Sequence, residues 1–164
     1  MSPKDLPYMD CIFCKMLAGQ APMHLIWEDE AHVAFLSNRP NTPGFSVVVP
    51  RQHSGSYAFA QSDEVLSGLM IAAKKVALLI DRALPDVGRT GLMLEGYGID
   101  HLHAKLFPMH GTGDSSAFKP ISSNVDTFFE RYEGYISSHD FKGEVTHDLA
   151  AMARQIRRVG GIEV

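Results

Sequence analysis

Hydrophobic positions along the chain follow two different periods, which predicts a mixture of strands and helices. Short apolar runs at His24–Trp27, Val33–Leu36 and Phe45–Val49 predict three strands, because turn-forming residues separate them. Apolar residues then recur at helical spacing from Ser62 to about Leu84, and Pro85 ends the predicted helix. The middle of the chain therefore combines short strands with one long amphipathic helix.

Shorter elements flank this region. We predict a short helix within residues 11–19, strands at Leu92–Leu94 and His101–Phe107, a segment of mixed type at Phe128–Tyr135, and a final helix from His147 to Arg157 that Thr146 caps. The predicted strands follow one another through short turns, which is typical of antiparallel pairing. We therefore predict the α+β class, with a mainly antiparallel sheet and helices packed on it.

The length of 164 residues suits one domain, and 45% hydrophobic with 21% charged residues is typical of a globular protein. We expect residues 1–10 to form a loose arm, residues 11–110 the core, and residues 111–164 a C-terminal extension packed on the same domain. The sequence contains no apolar run long enough to span a bilayer, and residues 1–10 lack an apolar signal region. We therefore expect a cytoplasmic protein with no membrane partner.

The formal net charge of −4 changes the expected partners. Proteins that bind long nucleic acids usually carry a basic stripe, so we expect no nucleic-acid partner. A small anionic ligand remains compatible with this charge, because one local group of hydrogen-bond donors can bind a phosphate on an acidic protein.

The chain has only two cysteines, Cys11 and Cys14. A disulfide across so short a loop would add little stability, so we do not expect a structural bridge. The pair is typical of half a metal site or of a redox motif.

The segment from His101 to Pro108 alternates between polar and apolar side chains as far as Leu106. As a strand it places His101, His103 and Lys105 on one face, with apolar residues on the other. One interpretation is a solvated polar face, which is common in antiparallel sheets. The other is phosphate chemistry, in which a neutral imidazole attacks phosphorus while the lysine ammonium donates to a phosphate oxygen and lowers the pKa of His103.

With these residues in place, the sequence resembles the histidine triad (HIT) superfamily. Five stretches carry the resemblance in order and spacing: Cys11 to Gly19, Ala34 to Leu36, Pro40 to Gly44, Val47 to His53, and the signature segment His101 to Pro108. The resemblance covers roughly residues 11–110. It implies a HIT-like fold with a nucleotide-binding core in that region.

The resemblance also implies an enzyme mechanism. In the family, the middle histidine attacks the α-phosphate of a nucleotide, and the matching residue here is His103. A covalent nucleotidyl-histidine forms and is then resolved by water or by an acceptor phosphate. The expected activity is therefore a nucleotidyl hydrolase or transferase acting on a nucleotide or dinucleotide. The family commonly forms two-fold dimers, so we also expect a homodimer.

The zinc-containing branch of the family, which includes the galactose-1-phosphate uridylyltransferases, supplies a ligand set. The matching positions are Cys11, Cys14, His53 and His101. Two thiolates and two imidazoles make a closed tetrahedral site, which is structural rather than catalytic. The alternative is a reduced cysteine pair with an unrelated surface histidine; a redox role lacks the expected βαβ surroundings.

Three positions depart from the family pattern. Lys105 stands where the hydrolases usually have histidine and the transferases glutamine. Ser37, beside Asn38, stands where an acidic residue binds ribose. Tyr97 and Gly98 stand where a pair that contacts phosphate is usual, and we expect these four flanking residues to contribute to substrate binding.

These departures leave two rival hypotheses beside the enzyme. One is a non-catalytic nucleotide sensor or adaptor, although binding alone would not require the nucleophile His103. The other is a zinc-stabilised interaction module whose binding surface is the segment after His110. Among the aromatic residues, Phe13, Trp27 and Phe35 are expected either to line an adenine pocket or, more simply, to fill the core.

Overall fold

The computed structural model describes residues 10–113 and 118–162 and is organised around a five-stranded sheet. In chain order the elements are α1 Ile12–Leu17, β1 His24–Glu28, β2 His32–Leu36, β3 Ser46–Pro50, α2 Asp63–Ala83, β4 Val87–Met93, β5 Ala104–His110 and α3 Leu149–Val159, with a 3-10 turn at Ala58–Ala60 before α2. The strand order is β1-β2-β3-β5-β4, and every neighbouring pair is antiparallel. The α+β prediction is confirmed. The expected loose arm lies outside the described residues except for Asp10.

The long helix α2 begins and ends where its sequence predicts. The hydroxyl of Ser62 accepts a hydrogen bond from the backbone N–H of Val65 at 3.3 Å, and two acidic residues occupy the first turn. Leu84 is extended, as a residue before proline prefers, and this ends the helix at Ala83. The apolar face of α2 is buried against the sheet.

The two faces of the sheet carry separate apolar cores. Because side chains alternate along a strand, Ala34 and Leu36 of β2 face the core that includes α2, whereas Val33 and Phe35 face the core that includes α1. Phe13 of α1 is buried in this second, smaller core. The segment that precedes β5 lies beside α1, so the predicted nucleophile belongs to the α1 side of the sheet.

The C-terminal helix α3 packs on β1 and α2. The side-chain amide of Gln155 donates to the carbonyl oxygen of Ala83 at 2.6 Å, and the guanidinium of Arg157 donates to that of Leu25. Ile156 is fully buried. Among the helices of residues 10–113 and 118–162, none has the length and apolarity needed to cross a membrane.

Several predicted boundaries were wrong. Strand β5 begins three residues later than expected, because the N–H of Leu102 donates to the carbonyl oxygen of Ser54 rather than to a neighbouring strand. It then continues through Pro108, which lies opposite Thr90 and beyond the last residue paired with β3, where a missing N–H is tolerated. Strand β4 is likewise longer than predicted.

The predicted cap of the last helix was also wrong. The carboxylate of Asp148, rather than Thr146, accepts from the N–H of Ala151 at 2.9 Å, so α3 begins at Leu149. The segment Phe128–Tyr135 forms neither helix nor strand.

Candidate active site

Four side chains from three separate places in the chain form a compact cluster on the α1 side of the sheet. Cys11 directly precedes α1, Cys14 lies in its first turn, His53 follows β3, and His101 precedes β5. Their ligand atoms all lie within 4.8 Å of one another. The structure therefore brings together the complete set that the resemblance implied for a metal site.

The hydrogen bonding of His101 prepares its ring for this role. Nε2 lies 2.9 Å from the carbonyl oxygen of Pro50, which can only accept, so Nε2 carries the proton. The lone pair of Nδ1 then points at the sulfur atoms of Cys11 and Cys14, at 3.5 and 3.6 Å. Such an outer hydrogen bond is what orients histidine ligands in metal sites. Burial lowers the pKa of His101, which favours the neutral ring that a metal requires.

The thiol pair completes the donor set. Cys14 Sγ lies 3.4 Å from Nδ1 of His53. Without a cation, burial and then the neighbouring thiol of Cys11 raise the pKa of Cys14 to about 11. The raised pKa favours the protonated thiol. A bound cation would instead favour the thiolate, because thiolates are the form that binds metal. Two sulfur and two imidazole nitrogen atoms can hold a metal ion, and this donor set fits a tetrahedral structural site.

His103 lies next to this cluster with only 4% of its surface exposed. Its Nδ1 lies 2.6 Å from the carbonyl oxygen of His101, which again can only accept, so the proton is on Nδ1 and Nε2 carries a lone pair. Burial lowers the pKa of His103 and the positive charge of Lys105 adds to this, while the hydrogen bond to His101 opposes it. The ring of Phe13 meets that of His103 edge to face at 5.4 Å and helps to fix its position.

A cavity of about 400 Å³ opens beside His103, between α1 and the sheet. Its walls are mainly apolar, which suits a flat ring system. Three of the predicted substrate-binding residues, Ser37, Asn38 and Gly98, line it together with Phe13, Phe35 and Phe45. Phe13 and Phe35 are core residues that also line this cavity. Trp27 packs against the larger core and lines a different surface depression.

Lys105 lines the same cavity, and its ammonium already has a partner within the protein. It forms an ion pair with Glu95, and the two side chains are only 12% and 6% exposed. Glu95 also accepts a hydrogen bond from the N–H of Tyr97 at 2.7 Å. Burial opposes the charge of Glu95, but these donors outweigh it and lower its pKa.

The C-terminal extension contributes residues that the sequence did not indicate. The Ser138 hydroxyl lies 3.4 Å from Nζ of Lys105 and 2.5 Å from a carboxylate oxygen of Asp140, and both residues line the cavity. No local sequence pattern indicates Ser138 or Asp140. Glu95 lies two residues beyond the end of β4, whose last residue Met93 pairs with Lys105.

Tyr97 is placed differently from the prediction. Its ring is 81% exposed and stacks on Tyr132, with centroids 5.6 Å apart. It lines a second cavity rather than the one that contains His103. The chain reversal before β5 brings Gly98, not the tyrosine hydroxyl, to the edge of the first cavity.

Comparison with known proteins gives a consistent family assignment. Residues 18–111 match the HIT domain model. The chain is 33% identical over 110 residues to "Protein hit" of Bacillus subtilis (strain 168), covering 64% of this chain and 74% of that protein. It is 29% identical over 118 residues to adenosine 5′-monophosphoramidase hnt1 of Schizosaccharomyces pombe, covering 70% and 88%.

Solved structures agree on the fold. A Zn-bound histidine triad family protein from Mycobacterium smegmatis superposes with a TM-score of 0.66 at 20% identity, covering 92% of this chain and 93% of that chain. A HIT family protein from Bacillus anthracis is similar at 30% identity with a TM-score of 0.56, covering 71% and 84%.

Proposed function

This chain belongs to the HIT domain family, and from that premise we propose that it is a nucleotidyl hydrolase or transferase in which His103 is the nucleophile. The observation that carries the proposal is the position of one lone pair. Nε2 of His103 is unprotonated, because Nδ1 donates to the carbonyl oxygen of His101, and the ring lines a cavity of nucleotide size. A histidine held only for packing would not need this tautomer at a cavity wall.

The proposed reaction has two displacements. Nε2 attacks the α-phosphorus, a P–N bond forms, and the bond to the leaving group breaks with its electron pair going to the leaving group, which takes a proton from solvent where it departs as an amine or ammonia. A water oxygen, or the oxygen of an acceptor phosphate, then attacks phosphorus. The P–N bond breaks, its electrons return to Nε2, and the proton of an attacking water passes to solvent. The covalent intermediate thus divides one slow displacement at phosphorus into two faster displacements.

The walls of the cavity support a nucleotide as the substrate. Aromatic and aliphatic side chains provide a surface for a base, and the hydroxyl of Ser37 and the amide of Asn38 can bond ribose hydroxyl groups. We propose that the ammonium of Lys105 donates to a phosphate oxygen as charge develops during attack. Because Glu95 already pairs with Lys105, an entering phosphate would share this ammonium with the carboxylate.

We propose that the cysteine–histidine cluster holds a structural zinc ion. The donor set is that of a closed site, with four protein ligands and no open position for substrate. The similar protein from Mycobacterium smegmatis is described as Zn-bound. The ion would supply a cross-link between α1, the segment after β3 and the segment before β5. The homodimer and the cytoplasmic location stay predictions.

The name of the fission-yeast relative supplies the first substrate to test, adenosine 5′-monophosphoramidate. We expect the zinc-loaded full chain to release ammonia and AMP, and we expect a rapid quench to trap an adenylyl group that mass spectrometry maps to His103. His103→Ala should remove both the turnover and the adduct. His147→Ala is the matched control, because His147 is an exposed histidine that does not line the cavity. Full turnover by His103→Ala would refute the proposal.

The second candidate is a nucleotide sensor without catalysis. The buried pairing of Lys105 with Glu95 favours it, since this ammonium is less available than a free one. In that case AMP would bind to the unmodified chain and to His103→Ala with equal affinity, and neither protein would form an adduct.

A further inference from the structure

The strand register determines which residues lie at each end of the cavity beside His103. Phe35 of β2 lies opposite Val47 of β3, and Val47 lies opposite Lys105 of β5, so these three residues form a row across the cavity. Both pairings are antiparallel, so β2 and β5 run in the same direction. Ser37 follows Phe35 by two residues, whereas His103 precedes Lys105 by two. Ser37 and His103 therefore lie on opposite sides of this row.

The pairing of the strands continues as far as Ser37, whose N–H donates to the carbonyl oxygen of Phe45 at 2.9 Å. With a rise of about 3.4 Å per residue and a spacing of about 4.8 Å between strands, the Cα atoms of Ser37 and His103 are roughly 16 Å apart. Ser37, Asn38 and Arg39 all line the cavity, and we call them its distal end. Under the proposed function the α-phosphate lies at Nε2 of His103, so the nucleoside extends from there toward the distal end.

The distal end offers hydrogen-bond donors and one positive charge. Arg39 is exposed, and in the part of the chain that the structure describes no acidic side chain forms an ion pair with it. The hydroxyl oxygen of Ser37 accepts from the backbone N–H of Arg39 at 3.1 Å, which leaves the Ser37 O–H to donate. The side-chain amide of Asn38 has two further N–H donors. A ligand group that accepts hydrogen bonds and carries negative charge suits this end of the cavity.

Acidic groups are confined to the other part of the cavity. Among the described residues that line it, Asp140 is the only acid, and its carboxylate accepts from the Ser138 hydroxyl at 2.5 Å. The same hydroxyl lies 3.4 Å from Nζ of Lys105, so Asp140 belongs to the Lys105 side. A free ribose hydroxyl is well recognised by a carboxylate, whereas a phosphate on ribose is accommodated by an arginine. The distal end has the second of these chemistries.

We propose that Arg39 selects nucleotides that carry a second phosphate on the 2′- or 3′-oxygen of ribose. The planar guanidinium can donate two parallel hydrogen bonds to such a phosphate, and Ser37 and Asn38 can add single donors. The inference rests on the proposed function, because that function places the α-phosphate at His103 and the ribose toward the distal end. It adds the substrate class, a nucleoside 5′-phosphate derivative whose ribose is itself phosphorylated.

Three adenosine nucleotides test this substrate class. 5′-AMP has no phosphate on ribose besides the 5′ one, whereas adenosine 2′,5′-bisphosphate and adenosine 3′,5′-bisphosphate each carry one at a candidate position. Affinities are measured by calorimetry on the zinc-loaded His103→Ala chain, which cannot form an adduct at this residue. We expect one of the two bisphosphates to bind roughly tenfold more tightly than 5′-AMP, which is the low end for a hydrogen bond to a charged group, because Arg39 is exposed. Added salt should reduce this preference.

Variants in the same background test whether Arg39 causes the preference. Arg39→Gln should bring the affinity ratio of the preferred bisphosphate to 5′-AMP close to one. Arg39→Lys should restore part of the ratio, because an ammonium keeps the charge but lacks the planar pair of donors. Arg51→Gln is the matched control, since it removes the same charge from an arginine that pairs with Glu28 and does not line the cavity. 5′-ADP is the matched ligand, with two phosphates of which neither is on the 2′- or 3′-oxygen, and it should show no preference that depends on Arg39.

Two results would overturn this selection: bisphosphates that bind no more tightly than 5′-AMP, and a preference that Arg39→Gln retains. A preference that is lost in Arg39→Gln and kept in Arg51→Gln supports it. Failure of the proposed function is a separate observation, because it appears as the absence of an adenylyl adduct on His103 of the unmodified chain, whereas the preference is measured without turnover.

Discussion

The ion pair between Lys105 and Glu95 gives a quantitative prediction about the stability of the site. The perturbation is a set of three variants: Glu95→Gln, Lys105→Met and the double variant. Each single change leaves a charge with 12% or less of its side chain exposed and without its ionic partner. Removing one partner of a buried pair costs about 3–5 kcal/mol, because the remaining charge stays desolvated.

Local contacts place the expected value near the lower end of that range. After Glu95→Gln, Lys105 keeps the Ser138 hydroxyl 3.4 Å away and gains an amide oxygen as an acceptor. After Lys105→Met, Glu95 keeps the N–H of Tyr97 at 2.7 Å. We therefore expect each single variant to lose about 3 kcal/mol. The double variant removes both charges, so its loss should fall below the sum of the single losses by at least about 1 kcal/mol.

Urea unfolding of the metal-loaded proteins measures these free energies. The control is Glu28→Gln, which breaks the exposed pair with Arg51, whose side chains are 46% and 38% exposed, and should cost under about 1 kcal/mol. The pKa of Glu95 is lowered on folding, so its contribution is present above the unfolded pKa and is lost as pH falls through the folded one. If the losses of unfolding free energy in the two single variants add up to the loss in the double variant, the prediction of a buried, interacting pair is wrong.

Two further predictions concern the metal cluster and the end of the sheet. Cys11→Ser should abolish the binding of one zinc per chain and lower the melting temperature, as measured by elemental analysis and calorimetry; unchanged zinc content would exclude the cluster. At His110, burial opposes the charge, but hydrogen bonds with Pro43 and Asp86 outweigh it and raise the pKa. Its stabilising effect is therefore complete below the unfolded pKa of about 6.5 and is lost as pH rises through the raised value. The melting difference between the unmodified chain and His110→Gln should shrink from about pH 6 to pH 8.5, and a constant difference would contradict this.

Much of the site could be predicted from the sequence because its signals are local. The alternation from His101 to Leu106 assigned the two histidines and Lys105 to one side and the apolar residues to the core, and both assignments agree with the structure. The two-residue gap between Cys11 and Cys14 indicated either half a metal site or a redox motif. The partners His53 and His101 came from the family resemblance, since spacing in the sequence does not reveal which distant histidine completes a cluster.

Long-range pairing explains what sequence analysis missed. The ion pair and hydrogen bond of Lys105 depend on Glu95 from the loop after β4 and on Ser138 from a segment without regular structure, and neither residue carries a periodic signal. The same reason applies to the start of β5, because the backbone of Leu102 bonds to Ser54 instead of continuing the ladder. A single strand pattern contains no information about such competing partners.

One residue, His101, contributes its ring to the cysteine cluster and its carbonyl oxygen to the hydrogen bond that orients His103, the proposed nucleophile. No intermediate side chain separates the two sites, so a displacement of the ring passes directly through one peptide unit to the neighbouring imidazole. The orientation of the His103 ring, and of the Nε2 atom that we propose as the nucleophile, therefore depends on how the cluster holds α1 to the sheet. A redesign that exchanges the ligands of the cluster cannot preserve reactivity by protecting His103 alone; it must also conserve the backbone path at position 101.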